Sequence, residues 1–275
     1  MEQNYSVLMS VYEKEKPEYF KAAIESMLNQ TSPANDFVLV CDGPLTKELD
    51  SVIETMCTKY PEQFQIVRLK KNCGLGNALN AGLEVCKNEL VARMDSDDIS
   101  CLYRCELQLK KFRENPELAL CSGNIAEFIT DINKTESIRR VPVEYKEILT
   151  FAKKRNPMNH MAVMFKKSAV ETVGGYIEIS YAEDYYLWVR MLKEGYKAAN
   201  IDQVLVKARI GNGMYERRGG IAYAKSICGL QKKMLDMHFI SHIEFFCGCL
   251  LRISASLLPA RIRRQIYQKK LRGHI

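Results

Sequence analysis

The sequence predicts an α/β fold: a Rossmann-like, mainly parallel central sheet flanked by helices, with a C-terminal helical segment. Three observations predict it. Between Tyr5 and Phe112, short runs of strand formers alternate four times with stretches of helical spacing. The connections between them are short, which suits helices laid on both faces of a parallel sheet. Every strand-like run also ends on polar residues or glycine, so the strand ends gather into one polar crevice.

The elements follow in order. "YSVLMSVY" is the first strand, and Phe20, Ala23, Ile24, Met27 and Leu28 mark one face of the first helix. "DFVLVCDG" is the second strand, closed by Gly43-Pro44, and Leu49, Val52, Ile53 and Met56 have helical spacing. "FQIVRLKKN" is the third strand, followed by a helix through Leu75, Ala78, Leu79 and Leu83. "ELVARMD" is the fourth, followed by a helix through Leu102, Cys105, Leu109 and Phe112. Beyond these, "ALCSGNIAEFI" reads as strand, residues 131–140 as a loop or hairpin, and Met161 to Phe165 as another strand. A Gly174-Gly175 turn leads into a helix holding Leu187, Trp188, Met191 and Leu192, which Gly195 ends. "QVLVKARI" is a late strand, and the pattern is helical from Arg217 onward.

The 275 residues suit one large domain with an appendage, and 47% apolar with 27% charged residues is ordinary globular composition. The net charge of +7 is concentrated at the C-terminal end. No acid follows Glu244, whereas Arg252, Arg261, Arg263, Arg264, Lys269, Lys270 and Arg272 do. An apolar segment joined to an acid-free basic one fits an anionic membrane surface; the plain alternative is a helical cap with a solvated basic end. No nucleic-acid-binding motif is present. The opening residues lack a secretory signal pattern, which predicts a cytoplasmic chain with its ten cysteines reduced and mostly buried. No Cys-x-x-Cys spacing suggests zinc. No apolar run reaches the roughly eighteen residues of a spanning helix.

Chemistry gathers at the strand ends. The rims are Ser10-Val11-Tyr12, Asp42-Gly43, Asn72-x-Gly74 and Asp95-Ser96-Asp97-Asp98. Side chains alternate along an extended chain, so Asp95 and Asp97 share one side. Two carboxylates there repel, and a divalent cation with oxygen ligands relieves them. A helix cap by Asp97 or Asp98 is the competing reading. Gly74-x-Gly76 partly matches a dinucleotide-binding fingerprint, but Leu79 stands at its third glycine.

The ordered set of these rims with His160, Gly174-Gly175-Tyr176, Glu183-Asp184 and Trp188 resembles the family-2 glycosyltransferases of the GT-A fold. It is most similar to the bacterial enzymes of capsule, exopolysaccharide and O-antigen assembly. The resemblance spans about residues 5–210. It implies that Ser10, Val11, Tyr12, Asp42, Asn72, Gly74, Asn77, Asp95 and Ser96 bind the nucleotide. It implies that Asp97, with Asp95 and His160 as further candidates, holds Mn²⁺ or Mg²⁺. Asp184 takes the position of the general base in an inverting transfer. Glu183, Trp188, Arg209, Arg217 and Arg218 are candidates for the acceptor and diphosphate. Glu183 and Asp184 could instead serve a helix N-terminus, Trp188 the core, and Arg217 and Arg218 a solvated loop. An Arg-x-x-His-type segment of many relatives is incomplete here: Arg209 fits, and no histidine follows.

Residues 1–215 are therefore expected to form the nucleotide-sugar transferase domain and residues 216–275 a helical, basic, membrane-associated segment. The donor implied is a nucleotide sugar, UDP-hexose or UDP-N-acetylhexosamine. The acceptor implied is a glycan on a polyprenyl diphosphate, at the cytoplasmic face of the inner membrane. Two other classes compete. A sugar nucleotidyltransferase would carry a Gly-rich basic loop after the first strand, where "SVYEKEK" stands. A non-catalytic nucleotide-sugar-binding module would have no need of Asp184.

Overall fold

The computed structural model describes residues 4–210 and 220–257. Its first half follows the expected alternation. Strands β1 (Tyr5–Val11), β2 (Asp36–Cys41), β3 (Phe64–Arg68) and β4 (Leu90–Met94) are linked by α1 (Pro17–Leu28), α2 (Lys47–Lys59) and α3 (Leu75–Val85). The pairs β1–β2, β1–β4 and β2–β3 are parallel. Each helix starts for a local reason. Pro17 opens α1, where a missing N–H is harmless and its fixed φ suits the helix. The Thr46 hydroxyl caps α2 by accepting from the Leu49 amide at 3.3 Å. Gly74, with φ of 85°, turns the chain into α3.

The second half holds β5 (Ile99–Ser100), α4 (Arg104–Glu114), β6 (Leu118–Phe128), β7 (Ser137–Arg139) and α5 (Tyr145–Ala152). A 3-10 turn (His160–Ala162), β8 (Met164–Lys166), α6 (Lys167–Thr172), α7 (Glu183–Lys193) and β9 (Lys197–Arg209) follow. The described chain ends in α8 (Gly220–Asp236) and α9 (His242–Leu257). The sheet order is β3-β2-β1-β4-β8-β6-β9-β5, with β7 on β6. It is mainly parallel, with β8 and β5 running antiparallel to their neighbours.

Alternation along the strands builds two cores. Val7, Met9, Phe37 and Leu39 meet Phe20, Ile24, Met27 and Leu49 on one face. Leu8, Val38 and Val40 meet Leu79, Leu83, Leu187 and Trp188 on the other. Each such side chain contributes about 1.5–3 kcal/mol when fully buried, before the entropy of ordering it is counted. A smaller cluster seats Ile227, Leu230 and Met234 of α8 on Tyr185 and Val189 of α7.

Residues 131–140 form the antiparallel β6–β7 hairpin, one of the two forms expected. Some other elements differ from the expectation. The strand expected from Met161 starts at Met164, because His160–Ala162 tighten into a 3-10 turn and Gln108 takes the Ala162 carbonyl at 2.9 Å. Leu102 is 49% exposed and precedes α4. All ten cysteines are free thiols, but only Cys41, Cys86, Cys105 and Cys121 are buried. Among the described residues, no helix is long and apolar enough to cross a membrane.

Candidate active site

The carboxyl ends of β1, β2 and β4 open into a cavity of about 580 Å³. Ser10 and Tyr12 line it after β1, Asp42 after β2, Asn72 and Gly74 before α3, and Asp95 to Asp98 after β4. The four rims expected from sequence thus meet at one place. Two of the expected nucleotide contacts do not. The Val11 side chain is 1% exposed and belongs to the core. Asn77 lies to the side on α3, its amide donating to the Cys73 carbonyl at 2.9 Å, because the helix turns that position away from the cavity.

Asp42 has a second task. Its two oxygens accept from the Cys73 amide at 2.7 Å and the Gly74 amide at 3.1 Å. Gly43 makes the approach feasible: its φ is 93°, and a Cβ there would sit 2.7 Å from the Asn72 nitrogen. The loop before α3 is therefore fixed by the rim of β2.

The acids after β4 have distinct surroundings. Arg93, wholly buried in β4, donates through Nη2 to the Asp95 carboxylate. Burial, then the charges of Asp95 and Glu15, push Asp97 up to about 7. Burial, then Asp95 and Asp97, hold Asp98 well above the usual range. Neither acid caps a helix: α4 starts after Tyr103 and has no side-chain cap. Asp98 instead accepts from the Arg209 amide at 2.7 Å and pins the end of β9. Arg209 lines the cavity, with Nε donating to the Asp97 carbonyl at 3.2 Å and its guanidinium 3.6 Å over the Tyr19 ring. The Ser96 hydroxyl donates to Glu15 at 2.7 Å.

This donor set fits a divalent cation. Asp95, paired with Arg93, and Asp97 bring carboxylate oxygens to one wall. Mg²⁺ and Mn²⁺ take one or two carboxylates and complete their shells with phosphate oxygens and water. Among the described residues no group of three His, Cys, Asp or Glu could hold an ion unaided.

A second cavity, of about 310 Å³, shares Leu75, Asp95, Arg139 and Met161 with the first. Glu183 and Asp184 enter it from the start of α7. Burial raises both carboxyls. For Asp184 the Tyr185 amide and the Asn156 side chain oppose the rise, the latter donating to Oδ2 at 2.6 Å.

His160 also lines the second cavity, with Nε2 3.0 Å from the Tyr176 hydroxyl. Burial and then the Arg93 charge hold its pKa well below the usual histidine range, so it is neutral. Among the described residues it forms no group of three possible ligands with the acids, and the Arg93 charge beside it disfavours a cation. Trp188 is completely buried and packs edge-on against His160, ring centroids 6.0 Å apart. It is a core residue and lines neither cavity, which favours the second of its two expected places, the core over the acceptor. Arg217 and Arg218 lie outside the described residues.

The sequence reading missed several participants. Arg93 and Asn156 hold Asp95 and Asp184, and Glu15 faces Asp97. Arg139, Arg155 and Arg252 line the second cavity. Only Arg93 left a signal, as a cation inside an apolar strand.

The sheet's acidic rim and a partly buried acid thus face each other across a shared wall. The fold is that of solved glycosyltransferases: the mannosyltransferase PcManGT from Pyrobaculum calidifontis, in complex with GDP-Man and Mn²⁺, superposes with a TM-score of 0.67 at 15% identity, covering 98% of this chain and 82% of that one. Residues 6–173 match the model for Glycosyl transferase family 2, and the chain belongs to that family. The amylovoran biosynthesis glycosyltransferase AmsE of Erwinia amylovora is 39% identical over 98% of this chain and 100% of its own length. The UDP-Gal:alpha-D-GlcNAc-diphosphoundecaprenol beta-1,3-galactosyltransferase of Escherichia coli is 38% identical over 98% of this chain and 96% of its own. The protein is a glycosyltransferase.

Proposed function

We propose that the chain is a metal-dependent, inverting enzyme. It moves a hexose or N-acetylhexosamine from a UDP-sugar to a glycan on a polyprenyl diphosphate, in bacterial surface-polysaccharide synthesis. One observation carries this reading: the acidic cavity and the cavity holding Asp184 meet across Asp95. The UDP-Gal and diphosphoundecaprenol in the name of the E. coli relative, and the Mn²⁺ of the Pyrobaculum complex, support it.

Tyr12, 40% exposed, offers its ring to the uracil base, and Ser10, Asp42, Asn72, Gly74 and Ser96 line the nucleotide's cavity. Asp97 and Asp95 would hold Mn²⁺ or Mg²⁺, which when bound neutralises charge on the departing diphosphate. Asp184 accepts the proton of the acceptor hydroxyl. The hydroxyl oxygen bonds to the anomeric carbon as that carbon's bond to the diphosphate breaks on the opposite face. UDP leaves, and an α-linked donor gives a β-linked product.

The outward face of α9 exposes Ile243, Phe246, Leu250 and Leu251, and a run of basic residues follows in the sequence. That combination supports peripheral attachment to an anionic membrane, where a polyprenyl-linked acceptor resides. A panel of UDP-, GDP- and dTDP-sugars with Mn²⁺, scored for nucleotide release, tests the donor class. Release from a UDP-sugar alone is expected; a GDP-sugar as sole donor would sink the assignment.

A further inference from the structure

We propose that the second cavity holds the acceptor's own diphosphate, gripped by Arg139, Arg155 and Arg252. This rests on the transferase reading and adds a subsite to it.

The two cavities differ in charge. The first is lined by six acids and three basic residues, a balance that needs a cation before a diphosphate can enter. The second is lined by four arginines against three acids; with the Arg93–Asp95 pair set aside, three arginines face two acids. A neutral glycan needs no such cluster. An anion brought by the acceptor does, because the planar fork of guanidinium matches phosphate oxygens two at a time.

The arginines reach the cavity from separate elements. Arg139 ends β7, Arg155 follows α5, and Arg252 lies on α9. They converge on one short segment. Arg252 donates to the Lys154 carbonyl, and Arg139 donates to the Asn156 carbonyl at 3.0 Å. The Asn156 side chain in turn donates to Asp184. Arg139 is thus linked to the base through a single residue.

Arg93 supplies an independent sign. It is 1% exposed and lines this cavity, yet its Nε and Nη1 have no hydrogen-bond partner among the described residues. Buried guanidinium donors left unmade are costly, and an anionic ligand is what would satisfy them.

The test uses the full chain loaded with UDP and Mn²⁺, so that the donor site is filled. Geranyl diphosphate is titrated in by calorimetry, with geraniol as the uncharged control. The diphosphate should bind and geraniol should not. Arg155→Gln and Arg252→Gln should each weaken it about tenfold while leaving UDP affinity unchanged. If a glutamine variant loses UDP affinity, Arg252→Lys replaces it; it keeps the charge without the fork, and a smaller loss is expected. No binding of geranyl diphosphate, or equal binding by the variants, overturns the cradle. UDP that fails to bind the wild type sinks the UDP-donor reading instead, and the cradle is then judged on geranyl diphosphate and the variants alone.

Discussion

Replacing Asp97 with asparagine should stabilise the metal-free protein while removing its metal-dependent nucleotide binding. Burial, Asp95 and Glu15 push the Asp97 carboxyl up to about 7, some three pH units above an ordinary aspartate at 3.8. At about 1.4 kcal/mol per pH unit, the ceiling on its destabilisation is about 4 kcal/mol. Asp97 is only partly buried and shares the repulsion with its neighbours, so screening leaves roughly 2 kcal/mol. The folded pKa lies above the unfolded one. The stability carried by the protonated form is therefore full below about pH 4 and lost as pH rises through about 7. Asparagine does not titrate and escapes that loss. Thermal melting in EDTA should show Asp97→Asn gaining roughly 4–8 °C at pH 8, with a much smaller gain at pH 5. Added Mn²⁺ and UDP should raise the wild-type melting point and leave the variant's unchanged. A variant no more stable than wild type at pH 8, or a gain independent of pH, would refute the repulsion argument.

Three further outcomes follow from the same geometry. Asp184→Asn should lower kcat about a thousandfold with UDP affinity near normal; retained turnover would remove Asp184 from the base position. Asn156→Ala deletes a donor that holds the Asp184 pKa down, so the acidic limb of kcat/KM should move to higher pH; a limb that stays or falls contradicts the assignment. Phe246→Glu with Leu250→Glu should abolish flotation of the full chain with anionic vesicles; undiminished flotation would rule out α9 as the contact.

The fold was legible where local pattern decides it. Strand and helix periodicities located β1 to β4 and α1 to α3, and the rim rule placed Asp42, Asn72 and Asp97 in one cavity. The period-two argument that joined Asp95 to Asp97 extends to Arg93, which stands on the same side and pairs with Asp95. Trp188 shows the limit of helical spacing. It stands one turn from Asp184, but α7 enters the core after its first turn, so the acid meets the cavity and the indole does not. Arg139, Asn156 and Arg252 left no local signal. Their meeting depends on how the β6–β7 hairpin, the chain after α5 and α9 pack together.

The charge division along the crevice bears on Asp184 itself. Burial raises its pKa, while the Tyr185 amide, Asn156, Arg139 and Arg93 pull it back. A diphosphate seated among the arginines would offset the two guanidinium charges and leave burial less opposed. The base should therefore strengthen once the acceptor is bound. Because kcat/KM reports the free enzyme and kcat the loaded one, the acidic limb of kcat should lie at higher pH than that of kcat/KM. An acceptor of the same sugar on an uncharged alkyl chain should show no such gap. A gap of equal size with both acceptors would mean that closure of the site, and not the phosphate charge, shifts the base.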